Sequence, residues 1–261
     1  QYYLEKGYTV QGLDNFNSYY DVRLKKRRAG ILEELGIVVH DCDIRDYVSF
    51  STLLWSRWKP DLVIHLAAMA GVRYSMDHPQ EYIDTNITGT QNMIRLCSEW
   101  EVENVVYAST SCTMHGNPLP WKEDVKLGNH LSPYGWSKAT NEQQFGTSQI
   151  PNAVGLRFFT VYGPWGRPDM ALFDFTKKIV NGKPITVFNN GDMKRDFTYV
   201  DDIVQGIYLV SQNMTERDIY CIGYGEQVNL MHFVDRIQEE LGIKAQIEFA
   251  PAHPADAKET W

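Results

Sequence analysis

What this chain lacks narrows its class before anything else. It has four cysteines, Cys42, Cys97, Cys112 and Cys221, and no two stand as Cys-x-x-Cys. Their scatter argues against a disulfide framework and predicts reduced thiols in a cytosolic protein. The seven histidines show no His-Glu-x-x-His or comparable ligand spacing, so no metal is expected. No apolar run is long enough to span a bilayer. Positive charge is also scarce: 25 Lys and Arg face 33 Asp and Glu, a net charge of −8. That balance predicts no nucleic-acid partner, although a few arginines inside a cleft can still hold an anion. Internal repeats and low-complexity linkers are missing too. There is no signal peptide, but the chain opens in a helical pattern, Gln1-Tyr-Tyr-Leu-Glu-Lys-Gly7, so an anchor upstream of Gln1 stays open.

What is present is a globular α/β pattern. Hydrophobic residues at 43% and aromatics at 13% suffice for a packed core, and 261 residues suit one large domain or a domain with a smaller lobe. Strand-like runs at 8–13, 36–40, 61–65, 104–109 and 153–159 alternate with helical stretches. In one of these, at 88–100, Met93, Ile94, Leu96 and Cys97 form an apolar stripe. The runs at 61–65 and 104–109 are almost continuously apolar, as in strands covered on both faces. The alternation predicts a doubly wound parallel sheet with ligands at the carboxyl ends of its strands. Beyond Pro164 the pattern loosens into a second, smaller lobe: a helix near 173–181, a strand at 185–188, a return to the sheet near 218–222, a helix at 231–241 and a strand at 245–249. The expected division is 1–163 with about 196–224 as a Rossmann-like domain, and 164–195 with 225–261 as the lobe.

The strand ends carry the candidate chemistry. Ser132-Pro-Tyr134-Gly-Trp-Ser-Lys138 places a phenol and an ammonium at i and i+4, on one helix face. A lysine beside a tyrosine favours the phenolate, a proton acceptor; a solvated helix carries the same spacing by chance. Ser111 and Thr113, after the fourth strand, project to one side if the extended conformation continues, which suits a substrate hydroxyl. Alternatively they form a turn that satisfies its own backbone. Asp14, at the end of the first run, suits an adenosine ribose or caps its loop. Asp43 and Ile44 follow the second run, at an adenine edge. Ala67 and Ala68 follow the third, where small residues admit either a dinucleotide or close helix packing. Asn86 heads a helix and is a cofactor contact or a cap.

Taken together, these residues resemble the extended short-chain dehydrogenase/reductase family, and within it the nucleotide-sugar 4-epimerases. The resemblance spans essentially the whole chain. It is most specific at Ser132–Lys138, at Arg157-Phe-Phe-Thr-Val-Tyr-Gly-Pro-Trp-Gly-Arg-Pro-Asp-Met170 and at Asp192-Met-Lys-Arg-Asp-Phe-Thr-Tyr-Val-Asp-Asp202. The last two segments, with 65–74, look most like UDP-glucuronate 4-epimerases. The resemblance implies Tyr134 as catalytic base, with Lys138 lowering its pKa and binding the nicotinamide ribose. It implies NAD as cofactor, held by Asp14, Asp43, Ile44, Ala67, Ala68, Asn86, Lys138 and Phe158. Ser111 and Thr113 would position the sugar, and Cys112 and Thr160 would approach its carboxylate. Arg73 and Arg167 would lie near the sugar or diphosphate, Arg195 on the diphosphate, Thr186 and Phe188 at the uracil and Asp256 at its ribose; for each arginine a surface salt bridge is the plainer role.

Cys112 and Thr113 stand where related 4,6-dehydratases and UDP-glucuronate decarboxylases carry a carboxylate, which favours epimerisation. A UDP-glucose/UDP-galactose-type epimerase, a UDP-glucuronate decarboxylase and a non-catalytic NAD-binding regulator are the alternative readings, and a homodimer is expected. The family's first strand and its Gly-x-x-Gly-x-x-Gly loop are not found in this sequence. We therefore expect the 261 residues to be a fragment that binds NAD weakly by itself.

Overall fold

The computed structural model describes residues 1–55 and 59–261. The first half runs α1 (Tyr2–Glu5), β1 (Gln11–Asp14), α2 (Val22–Glu34), β2 (Val38–Asp41), α3 (Tyr47–Trp55), β3 (Leu62–His65), α4 (Tyr74–Asp77) and α5 (Pro79–Tyr82). A π-helical segment at Ile83–Gly89 leads into α6 (Thr90–Glu99), then β4 (Asn104–Thr110), a 3₁₀ turn at Ser111–Met114, α7 (Pro133–Gly146) and β5 (Asn152–Phe158). The remainder is β6 (Thr160–Tyr162), α8 (Ala171–Val180), β7 (Ile185–Phe188), β8 (Lys194–Arg195), β9 (Phe197–Tyr199), α9 (Val200–Gln212), β10 (Arg217–Ile222), β11 (Val228–Asn229), α10 (Leu230–Leu241) and β12 (Ile247–Ala250).

The main sheet is parallel, in the order β10-β5-β4-β3. Its central strands are buried on both faces, which explains their unbroken apolar sequence. Val105 and Tyr107 point into a core with Met93, Leu96 and Phe145. Val106, Val154 and Leu156 point the other way, onto Ile203 and Ile207 of α9. Each such aliphatic side chain contributes about 1.5–3 kcal/mol by leaving water. β1 and β2 form a separate parallel pair. Leu13 of β1 nevertheless packs on the same core as Val63 of β3, so the interruption falls between β1 and β3, where the resemblance places one further strand.

The stripe expected at 88–100 is observed: Met93, Ile94, Leu96 and Cys97 are buried on α6. Gly89 lets that helix approach closely, since a Cβ there would lie 2.7 Å from the Ile44 side chain. β1 starts later than the run at 8–13 suggests. Tyr8 instead turns back, with its ring against Tyr3 and its hydroxyl on Gln212. A second core, Phe175, Ile179, Ile185, Val187, Val234 and Ile237, fills the space between α8, α10 and β7. There β12 pairs parallel with β7, and Gly242 ends α10 in the left-handed conformation at φ 65°.

Candidate active site

Helix α7 starts sharply. The Ser132 hydroxyl accepts from the Gly135 N–H at 3.2 Å and Pro133 occupies the first turn, where its missing N–H costs nothing. This start carries Tyr134 to the carboxyl end of β4 and buries Lys138 one turn further on. Asn86 locks the helix in place. Its amide donates to the Met69 carbonyl at 3.0 Å and to Ser137 Oγ at 2.9 Å, while its oxygen accepts the Met69 N–H at 2.8 Å. Asn141 in turn donates to the Asn86 carbonyl. The side chain of Asn86, fully buried, is thus used up between the loop after β3 and α7. It ties the loop after β3 to α7 rather than capping a helix.

The electrostatics of the pair differ from expectation. Burial dominates at Tyr134 and pushes the phenol up to about 12, with Cys112 adding to the rise and the Thr110 hydroxyl and Arg167 opposing it. Burial likewise drives the ammonium of Lys138 down to about 8, against the pull of Glu142. Lys138 donates no hydrogen bond among the described residues. Beneath it, Arg157 grips Glu142 with two bonds of 3.0 and 2.9 Å, both side chains almost wholly buried. The neighbouring His65 is kept neutral, its pKa lowered to about 3 by burial, and its Nε2 lies 2.9 Å from Thr90 Oγ1.

The hydroxyl cluster is also rearranged. β4 stops at Thr110 and the chain enters the 3₁₀ turn, so the alternation assumed for Ser111 and Thr113 does not apply. Thr113, fully buried, donates to the Thr110 carbonyl at 2.9 Å and satisfies its own turn. The Thr110 hydroxyl, which the pattern did not single out, accepts the Cys112 N–H at 3.3 Å and opposes the rise of the Tyr134 pKa. Ser111 remains beside it, 5% exposed.

The arginines converge on the far side of Cys112. Arg73 stacks over the Phe188 ring at 3.7 Å and pairs with Asp256 at 2.6 Å. Arg195 is held by three neutral acceptors, the carbonyls of Lys194 at 2.8 Å, Ala257 at 2.7 Å and Lys258 at 3.0 Å. The charges of Arg195 and Asp256 both act on Cys112, whose thiol is pushed up chiefly by burial. Arg167 forks onto Asp169, which also accepts from Tyr19. Thr160 lies in β6 beside Asp196, whose carbonyl accepts its N–H at 3.1 Å. Thr186 sits in β7 opposite Glu248. Phe158 is half-buried and packs against the core cluster that includes Ile203 and Ile207 of α9.

At the other end, Asp14 is exposed and accepts from the Phe16 N–H at 2.7 Å, a loop cap. Burial works against the Asp43 charge, yet Arg45 and Asn15 hold its carboxyl down to about 2. It borders an open cleft of about 470 Å³ with Arg45, Asp46, Asp84 and Thr88. Ile44 is core, although its carbonyl accepts from Asn92. Ala67 and Ala68 are half-buried behind β3.

A doubly wound α/β sheet with a Tyr/Lys pair on one helix at its carboxyl edge defines a dinucleotide-dependent enzyme class. The chain belongs to the NAD dependent epimerase/dehydratase family, whose model matches residues 1–223. It is 38% identical over 280 residues to protein CapI of Staphylococcus aureus, covering 99% of this chain and 84% of that one. It is also 38% identical over 266 residues to a UDP-glucuronate 4-epimerase of Thermodesulfobacterium geofontis, covering 100% and 82%. The crystal structure of UDP-glucuronic acid 4-epimerase from Bacillus cereus, in complex with UDP-glucuronic acid and NAD, superimposes with a TM-score of 0.89 at 32% identity. That match covers 99% of this chain and 83% of the other.

The residues present fit such a cofactor. A buried ammonium without a hydrogen bond is costly, and ribose hydroxyls would satisfy Lys138. Asp14 and Asp43 would flank the cofactor's adenosine end.

Proposed function

We propose that this protein interconverts UDP-glucuronate and its C4 epimer, UDP-galacturonate, through a transient 4-keto sugar. One observation carries the reading: a half-buried Tyr134 and a buried Lys138, one turn apart on α7, lie beside a turn of Thr110, Ser111 and Cys112 that contains no carboxylate. Bound NAD would supply a hydride acceptor at C4 and a positive ring charge of the kind that lowers a phenol's pKa. Tyr134 then takes the C4 hydroxyl proton and later returns it, with Thr110 and Ser111 orienting the oxygen. Lys138, held by α7, binds the nicotinamide ribose. Return of the hydride to the opposite face of the turned sugar inverts C4 without net redox.

Loss of carbon dioxide is the hazard, because C6 hangs beside the C4 ketone. The turn answers it with neutral donors at Ser111 and Cys112, assisted by Thr160, and offers no acid or base to assist loss. Arg195 grips the diphosphate as a planar fork, and Arg73 and Arg167 supply further positive charge. Phe188, Thr186 and Asp256 receive the nucleoside. In this reading, 164–195 and 225–261 form the nucleotide-sugar lobe, and 1–163 with about 196–224 form the cofactor half. The reading includes a cytoplasmic homodimer; four free cysteines support that compartment. No helix among the described residues is long and apolar enough to cross a membrane.

The test is incubation with UDP-glucuronate and NAD, followed by NMR of the C4 proton. The C4 epimer supports the reading. UDP-xylose would indicate a decarboxylase, and NAD retention without product would indicate a regulator.

A further inference from the structure

Arg195 owes its orientation to a strap, and the strap is anchored by a carboxylate that pairs with no cation among the described residues. Segment 256–261 crosses β8. Its Ala257 and Lys258 carbonyls hold the Arg195 guanidinium, and Asp256 at its start holds Arg73. Main-chain bonds tie it down on either side of Arg195: Lys194 N–H to Lys258, Asp196 N–H to Thr260, and Thr260 N–H to Lys194. Further on, the Trp261 indole donates to the Gly225 carbonyl at 2.8 Å.

The turn that receives that indole is itself fixed by Asp196, which is 1% exposed. Its carboxylate accepts from the Tyr224 N–H at 2.8 Å, the Gly225 N–H at 2.8 Å and the Thr198 hydroxyl at 3.0 Å. Gly223 is confined as well, since a Cβ there would meet Asp196 Oδ2 at 2.8 Å. A buried carboxylate satisfied by neutral donors, with no ion pair among the described residues, is an anchor for backbone. We infer that Asp196 and Trp261 are positioning residues for diphosphate binding. Through the 223–225 turn and the strap they aim Arg195 by backbone carbonyls rather than by a directly bonded carboxylate.

This inference rests on Arg195 being the diphosphate ligand, so the experiment separates the two claims. UDP alone is titrated calorimetrically into the full chain and into three variants: Arg195→Ala, Asp196→Asn and Trp261→Phe. In Asp196→Asn an amide N–H faces a backbone N–H. Trp261→Phe keeps the ring and loses one hydrogen bond. UDP affinity should fall about tenfold or more in Arg195→Ala and Asp196→Asn, and several-fold in Trp261→Phe. In steady state, KM for UDP-glucuronate should rise while kcat changes less than about threefold.

The decisive arm is the double variant Arg195→Ala/Trp261→Phe. If Trp261 acts through Arg195, its effect on UDP affinity vanishes in the Arg195→Ala background. Additive losses would overturn the strap. So would unchanged affinity in Trp261→Phe, even if Asp196→Asn fails to fold. Unchanged affinity in Arg195→Ala would instead remove the diphosphate assignment itself.

Discussion

Arg157 and Arg195 both carry a guanidinium inward, and their surroundings differ in one chemical respect. Arg157 is closed by a carboxylate, with Glu142 on both prongs and a side chain 3% exposed. Arg195 is closed by three backbone carbonyls and forms no ion pair among the described residues. A carboxylate cancels the charge, whereas carbonyls orient the group and leave the charge for something else. The same division separates Asn86 and Thr113, whose polar atoms are used inside the protein, from Lys138 and Tyr134. Structure consumes the first group. The second group is left with bonds still to make, and it gathers at the carboxyl ends of the strands.

Substitutions can break this division. The largest effect should come from Tyr134→Phe, which removes only the proton acceptor. Turnover should fall by about 10²–10⁴-fold while UDP binding by calorimetry stays within about twofold of the parent; substantial residual epimerisation would exclude Tyr134 as the base. On the consumed side, Glu142→Gln leaves the buried Arg157 without its counter-charge. Chemical denaturation should show a loss of about 3–5 kcal/mol, whereas Arg195→Gln should cost about 1 kcal/mol. Equal losses would erase the distinction between the two arginines.

Lys138→Met should act in the opposite direction on stability while stopping turnover. The ammonium is held down to about 8, below its ordinary range, so the folded state gives up a proton that the unfolded chain keeps. The penalty is fully present below pH 8 and fades as pH rises toward about 10.5. The variant should therefore be more stable than the parent by about 1–3 kcal/mol at pH 7, and the gap should narrow by pH 10. A gap that stays constant across that range would mean the lysine is not strained. The smallest effect belongs to Thr113→Val. Loss of its bond to Thr110 should cost about 1 kcal/mol and leave the ratio of epimer to UDP-xylose unchanged.

Much of this was legible in the sequence, for definable reasons. The i, i+4 spacing of Tyr134 and Lys138 survives because a helix has one geometry, and the Ser132-Pro133 start sets its phase. The strands at 61–65 and 104–109 could be read from their unbroken apolar runs. The Ser111/Thr113 alternation failed because β4 ends at Thr110, and no residue in Ser-Thr-Ser-Cys-Thr announces that change. Glu142, four residues beyond Lys138, was within reach of the same spacing rule. Asp196 stood within a quoted motif, but its partners at 223–225 lie about 30 residues further on, beyond any periodicity.

The sequence by itself determined the parallel α/β sheet, the second lobe and the helix that pairs a phenol with an ammonium. All of these depend on local propensity and repeating pattern. Only the tertiary structure decided which charges are cancelled and which are kept. It joined Arg157 to Glu142, gave Arg195 to carbonyls of the strap, left Lys138 without a hydrogen bond among the described residues, and raised the Tyr134 pKa by burial. Each of those outcomes depends on desolvation and on partners distant in the chain, quantities that exist only once the fold has closed around them.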